Sequence, residues 1–425
     1  MLNAKVWRRM IGVDQATVIE EVEFDETAEA VVVHVRPRRA VRRRCGRCGT
    51  RSPGYDQGEG RRNWRALDLG GVRCFLQSAS VRVGCPTHGP TVAEVPWARH
   101  DAGHTRDFDD TVAWLAIQTS KTAVTELMGI AWRSVGAIVT RVSADIDAKV
   151  DRLEGLRRIG IDEISYKRGH RFITVVVDHD TRRLVWAAPG RDMATLNKFF
   201  EALGEQRCAE ITHVSADAAD WIARCVRVHT PTAVQCADPF HIIAWASEGI
   251  DEVRRNLWNE ARGGRPAKAL TRVRSDRPKR AVELRRVRWA LWKNPEDLTE
   301  RQQHQLDCIA ENHPSLWRAY RLKEGLRYVF AVKGEEGKEA LDAWLSWASR
   351  SQLEPFIRLA RRIRRIRPSI DATLEHGLSN GLIESMNAKI RLITRIAYGF
   401  RSPDALIALA MLSFGGFRPV LPGRK

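Results

Sequence analysis

Cys45-Gly-Arg-Cys48 and Cys85-Pro-Thr-His88 are two short knuckles, each offering a pair of metal-binding side chains across a turn. Together they supply four sulfur and nitrogen donors, enough to close a tetrahedral shell around Zn2+. A closed shell leaves no position for water, so this metal holds a fold together and performs no chemistry. A redox C-x-x-C is the competing reading of the first pair, and the second pair argues against it. Cys74 falls in the middle of a strand-like run and is assigned to the core.

A second set of residues suits hard cations. Asp162 sits in the strand-like IGIDE, and Asp217 ends the strand-like THVSAD. A carboxylate buried in a strand is costly unless it meets a partner or a metal. Glu384, in SNGLIESMNAKIRLITR, lies on a predicted helix that begins near Asn380, with Asn387 one turn on and Lys389 and Arg391 available for phosphates. Three carboxylates can hold two Mg2+ ions roughly 4 Å apart, with Mn2+ as a substitute, for phosphoryl transfer. Asp238-Pro-Phe-His241 follows a further strand-like segment, so Asp238 is the alternative second aspartate, with His241 and Asn387 in support. Glu163 points away from Asp162 on a regular strand and is left out.

The third constellation is SKTAVTELMGIAWRSVGAIVTRV, from Ser120 to Val142. A cap-like Ser opens it, Val124 and Leu127 give it an apolar face, Gly129 makes the turn, and Val135, Ile138 and Val139 line a second helix. That is the spacing of a DNA-reading helix pair, which points Trp132, Arg133 and Ser134 toward a groove.

The elements that must position these groups follow from periodicity. Residues 1–98 are β-rich, with strands expected over 17–24, 29–36 and 72–83. Residues 99–152 turn helical. Residues 153–245 alternate as β-β-β-α-β-α-β, the pattern of a mixed sheet with crossover helices. Residues 246–350 are helical, charged and Trp-rich, and their most basic stretch is ARGGRPAKALTRVRSDRPKRAVELRR. Residues 351–425 are helical again and carry RLARRIRRIRPSI, which suits either a DNA backbone or a solvated helix face.

Composition narrows the function classes. The 425 residues carry 70 Lys+Arg against 52 Asp+Glu, a net charge of +18, with Arg dominant. Such an excess attracts polyanions, nucleic acid first. No stretch reaches the ~18 apolar residues that span a bilayer, and the N-terminus lacks a signal peptide's apolar core. The expectation is a cytoplasmic, nucleoid-associated protein whose eight cysteines are thiols or metal ligands.

On the knuckles, the helix pair, IGIDEISYKRGHRFITVVVDH, VSADAADW, ADPFHI and SNGLIESMNAKIRLITRIAYGFRS, the chain resembles the insertion-sequence transposases of the ISL-three family over essentially its full length. The resemblance implies an α/β fold: an RNase H-like mixed-sheet core with an α-helical insertion, preceded by a β-rich zinc-binding module and a helix-turn-helix. It implies a DDE triad that cuts and joins DNA with magnesium, acting on the element's terminal inverted repeats and on target DNA. In an RNase H-like sheet the second catalytic aspartate follows the fourth strand, which selects Asp217 over Asp238. His88 stands where the family often has a fourth Cys. Joining two ends implies a homodimer or higher homo-oligomer. The rival functions are a catalytically inactive, transposase-derived DNA-binding regulator and an RNase H-like nuclease without strand transfer.

Overall fold

The structure is a computed structural model that describes residues 4–167, 169, 171–217, 219–262 and 277–424. Most of the basic stretch expected between 261 and 286 therefore lies outside the described residues. The chain divides into two compact units: Met1–Arg152 with Tyr166–Arg171 and Lys389–Lys425, and Leu153–Ser165 with Phe172–Ala388.

The first unit begins with α1 (Ala4–Met10) and seven strands: β1 (Thr17–Asp25), β2 (Ala30–Pro37), β3 (Gly54–Asp56), β4 (Arg61–Leu69), β5 (Val72–Ala79), β6 (Arg82–Cys85) and β7 (Gly89–Val92). They form two sheets, ordered β1-β2-β5-β4 and β3-β6-β7. The single strand expected over 72–83 is thus two strands in different sheets. β4 was not foreseen, because Arg and Asp crowd its exposed face while only Trp64 and Ala66 are buried. Val33, Val35, Trp64, Cys74, Leu76 and Trp97 make the core between strands and loops.

Three helices follow: α2 (Arg106–Gln118), α3 (Lys121–Met128) and α4 (Trp132–Asp147). Ser120 caps α3 by accepting from the Ala123 N–H at 3.2 Å. Gly129 ends it in the left-handed conformation at φ 59°, where a side chain would be strained. Val124, Val135, Ile138 and Val139 are buried as expected, whereas Leu127 is 69% exposed. α3 is only two turns long, and Val124 and Met128, four apart, already fill its inward face.

The second unit holds β8 (Arg158–Lys167), β9 (Arg171–Asp178), β10 (Arg183–Pro189), α5 (Met193–Leu203), the one-turn α6 (Glu205–Cys208), β11 (His213–Ala216), α7 (Asp220–His229) and β12 (Val234–Ala237). The sheet order is β10-β9-β8-β11-β12. β11 lies parallel to both β8 and β12, which is the mixed sheet of an RNase H-like core. Ile159, Ile161 and Val214 pack with Phe199, Phe200, Ile222 and Val226 from α5 and α7. Each buried Phe is worth roughly 2 kcal/mol of transfer free energy.

A long helical block comes next: α8 (Pro239–Ala261), α9 (Arg277–Arg286), α10 (Arg288–Trp292), α11 (Glu300–Asn312), α12 (Pro314–Val332), α13 (Gly334–Ser349), α14 (Glu354–Arg365) and α15 (Arg367–His376). α8 runs unbroken through the expected boundary at 245/246. The arginines of 358–367 are largely tied into this block: Arg358 to Glu252, Arg362 over Trp245, and Arg367 to Asp342 and Asp371. The chain ends with α16 (Gly381–Ile396) and α17 (Pro403–Phe414). Sequence placed all of 351–425 with the catalytic core. Instead Ala408, Leu409 and Leu412 of α17 share one apolar cluster with Phe108, Val135 and Val139, so α17 completes the core of the helix pair.

A buried ion network braces the same region. Arg99, 8% exposed, reaches Asp110 at 2.7 Å and Asp145 at 3.0 Å, while Arg141 holds the fully buried Asp109 at 2.9 Å. Burial already pushes the Asp110 carboxyl above its ordinary value. Replacing Arg99 by Met strands Asp110 and takes a partner from Asp145, so we expect Arg99→Met to lose about 3–5 kcal/mol of stability at pH 7. The stranded acid gains a proton more readily folded than unfolded. The deficit must therefore shrink as pH falls toward 5, which denaturant titrations at both pH values will read.

Candidate metal sites and DNA-reading helices

The two knuckles meet. Cys45 lies in the loop after β2, Cys85 ends β6, and His88 immediately precedes β7. The separations are 3.6 Å from Cys45 Sγ to His88 Nδ1, 3.7 Å from Cys48 Sγ to Cys85 Sγ, and 3.6 Å from Cys85 Sγ to His88 Nδ1. Tetrahedral Zn2+ with ordinary bond lengths predicts ligand edges of about 3.7 Å between sulfurs and about 3.5 Å from sulfur to nitrogen. The four residues thus fit zinc on geometry, with His88 binding through Nδ1. Desolvation acts against ionising the Cys85 thiol, but the backbone N–H groups of His88 and Thr87 outweigh it and bring it down to about 6. Cys74 sits apart in the β5 core, and burial pushes its thiol up to about 11, as suits an inert packing residue.

The aspartates are brought together by strand register. In the parallel pairs, Ala216 sits opposite Ile161 on one side and Ala237 on the other. One residue further, Asp162, Asp217 and Asp238 fall in a single row across three neighbouring strands, about 4.8 Å apart from strand to strand. Asp162 occupies the face opposite Ile161. There its Oδ1 accepts from the Glu163 N–H at 2.8 Å, and its Oδ2 accepts from Asn387 Nδ2 at 2.7 Å. Burial raises its carboxyl above the usual range. Gly160 keeps this face open, since a Cβ there would come within 3.0 Å of His179 and 3.2 Å of Ser215.

Asp238 and Asp217 differ sharply. Asp238 is 2% exposed and caps α8. One carboxylate oxygen accepts from the Asn380 N–H at 3.3 Å. The other accepts from His241 twice, from its backbone N–H at 3.3 Å and its Nδ1 at 2.7 Å. Asp217 is 25% exposed, and His241 Nε2 lies 3.7 Å from it. The bond to Asp238 raises His241 to about 9, with the charge of Asp217 adding to it, so the imidazole is a cation wedged between the two acids.

Glu384, on the first turn of α16, stands beside Asp238 and His241. Ligand atoms of Asp238, His241 and Glu384 lie within 4.8 Å of one another. Glu163 faces Arg191 at 3.3 Å. Sequence reasoning passed over Asn380 and Gly160. Asn380 is fully buried, its side-chain amide has no hydrogen-bond partner among the described residues, and its backbone holds Asp238. Its only signal in sequence was its place at the start of the Glu384 helix.

The expected DNA-contacting residues separate into two groups. Trp132, Arg133 and Ser134 form the first turn of α4, and Trp132 is 40% exposed with Lys121 Nζ 4.9 Å from its ring. Lys389 and Arg391 are exposed on α16 and belong to the first compact unit.

The knuckle geometry sets a test. The purified chain should carry one tightly held zinc, and Cys85→Ser should release it and unfold the β3-β6-β7 sheet. His88→Cys should keep the metal, since thiolate serves as well as imidazole. Metal analysis beside circular dichroism distinguishes these outcomes.

Three family models match the chain in succession. One described as the zinc-finger of transposase IS204/IS1001/IS1096/IS1165 matches residues 42–88, one described as the helix-turn-helix domain of transposase family ISL3 matches residues 93–143, and an ISL3 model described as transposase matches residues 159–410. The chain is 61% identical over 440 aligned residues to the transposase for insertion sequence element IS1557 of Mycobacterium tuberculosis, covering 100% of this chain and 98% of the relative. It is 26% identical, over 98% of this chain and 99% of the relative, to the transposase for insertion sequence element IS1001 of Bordetella parapertussis. The zinc-finger, helix-turn-helix and transposase models thus follow one another along the chain in the order of its knuckles, its helix pair and its mixed sheet, and the chain belongs to the ISL3 family of DNA transposases.

Proposed function

We propose that this transposase binds the terminal inverted repeats of its element and catalyses strand cleavage and strand transfer by cut-and-paste, with Asp162, Asp217 and Glu384 holding two divalent cations, Mg2+ or Mn2+. The carrying observation is the contrast between the two middle aspartates. Every oxygen of Asp238 is already engaged in a buried cap, whereas Asp217 stands partly open in the same row. The difference between the two is exposure, 2% for Asp238 against 25% for Asp217, since both oxygens of Asp162 are hydrogen-bonded as well. The orphaned Asn387 Oδ1, buried beside Asp162, is a further acceptor suited to a hard cation or its water.

The divalent ions would supply charge stabilisation at the attacking and leaving oxygens of the phosphate. The protein's own residues do the rest. Asn387 fixes the Asp162 carboxylate from α16, the helix that carries Glu384. Asp238 orients His241, and His241 steers Asp217 and shields it from Asp238. In cleavage, water oxygen bonds to phosphorus as the 3′-oxygen leaves and takes a proton. In transfer, that 3′-hydroxyl attacks a target phosphate and displaces its 3′-oxygen. Lys389 and Arg391 are assigned to phosphates, and Trp132, Arg133 and Ser134 to the repeat. No helix among the described residues is long and apolar enough to cross a membrane. We assign the protein to the cytoplasm, at the nucleoid, acting as a dimer or larger assembly that pairs two ends. The five expected regions, bounded at 98, 152, 245 and 350, remain our working division, with α17 serving the helix pair.

Asp217→Asn should lower cleavage of repeat-end DNA by about a thousandfold, the several kcal/mol a misplaced ion costs, while repeat binding and melting temperature hold. Asp238→Asn should instead lower the melting temperature, because it weakens a buried cap. A full loss of cleavage in a normally stable Asp238→Asn beside an active Asp217→Asn reverses the assignment. Arg133→Ala should weaken repeat binding by about 1–3 kcal/mol if it reads a base. A uniform loss on all sequences with a shallower salt slope would make it a phosphate contact.

A further inference from the structure

The helical block exposes an aromatic pair that the acid cluster does not use. On α10, Trp289 is 61% exposed and Trp292 41% exposed, with ring centroids 5.8 Å apart at 80°. The Arg288 guanidinium lies 5.2 Å from one ring and 4.9 Å from the other. Large aromatic faces left in water on a helix are costly unless something covers them.

The face is built to stay rigid. Leu284, Val287, Ala290 and Leu291 bury the opposite side of α9 and α10. Lys323, 1% exposed, donates to the carbonyls of Leu291 and Lys293 at 3.1 and 3.0 Å and so ties down the end of α10. The rings are therefore presented by a braced helix and not by a loose loop.

The charge around them is mostly positive. Arg285, Arg286, Arg288 and Lys293 are exposed on the same stretch, and no ion pair to the three arginines is found among the described residues. Of the nearby acids, Glu283 pairs with His313 and Glu296 with Arg327, while Asp297 accepts from the Asn294 amide and its carbonyl accepts from Lys293. An aromatic pair ringed by cations matches a polyanion that also carries flat apolar rings. In duplex DNA the base faces are already stacked on each other, so the fit is to unpaired nucleotides.

We propose that Trp289 and Trp292 form a stacking platform for unpaired bases of a DNA strand, with Arg285, Arg286 and Lys293 on its phosphates. The platform belongs to the same compact unit as the acid cluster. α9 meets α8 where Arg254 reaches the Leu284 carbonyl at 3.4 Å, about 24 Å along α8 from Asp238 at 1.5 Å per residue. This assignment rests on the chain being a DNA transposase and is independent of which acids hold metal.

The test measures anisotropy of the full-length protein with a labelled oligo(dT) of about 20 nucleotides and a blunt duplex of equal length, without added magnesium. The double variant Trp289→Ala/Trp292→Ala should bind oligo(dT) roughly tenfold or more weakly, and the duplex within about twofold of the parent. The Phe pair, which still stacks, should recover most of the oligo(dT) affinity, and the Leu pair, apolar but without a π face, should not. The proposal is overturned if the Ala pair binds oligo(dT) like the parent, or loses duplex and single strand equally. A Leu pair as good as Trp would mark an apolar protein contact and also overturn it. Melting temperatures equal to the parent's confirm that the variants fold.

Discussion

Three carboxylates in one row across parallel strands bring like charges together, and the residues around them must offset that crowding. Strand register places Asp162, Asp217 and Asp238 side by side, and at such spacing like charges oppose one another. Much of the second unit answers this constraint. The outer acid is retired into a helix cap and given a histidinium. The inner acid is bonded by Asn387 from a helix that returns after the whole helical block. The central one is left partly open beside the His241 imidazole. The balance is struck locally, with the buried Asn380 and Asn387 and the half-buried His241 providing the compensation that solvent provides elsewhere.

This arrangement explains why Asp-Pro-Phe-His is a sensible way to begin α8. Asp caps the helix, Pro suits the first helical position because it has no N–H to lose, and His three residues on returns to the capping carboxylate. One short motif therefore starts a helix of more than six turns, removes a surplus negative charge, and points a cation at the neighbouring strand.

Much of this was legible in the sequence because each part carried its own periodicity or spacing. The knuckles were legible since two-residue gaps constrain a metal shell locally. The β8–β12 pattern was legible since its apolar runs are continuous and separated by amphipathic helices. β4 was hidden because a strand with one solvated face dense in arginine looks like a loop. The split of 72–83 was hidden because only the path of the chain between two sheets decides it. Asn380 and Gly160 were hidden for a different reason: their value lies in what stands opposite them across the fold, and nothing local marks it. The position of α17 was unreadable in the same way, since its apolar ALIALAML says that it is buried without saying against what.

That last helix bears on how the protein is made. The DNA-reading pair comes off the ribosome early, yet part of its interior is supplied by Ala408, Leu409 and Leu412, among the last residues to be synthesised. The glutamate of the acid cluster also arrives late. A polypeptide released before residue 384 thus lacks both the glutamate of the acid cluster and the last part of the reading head's interior.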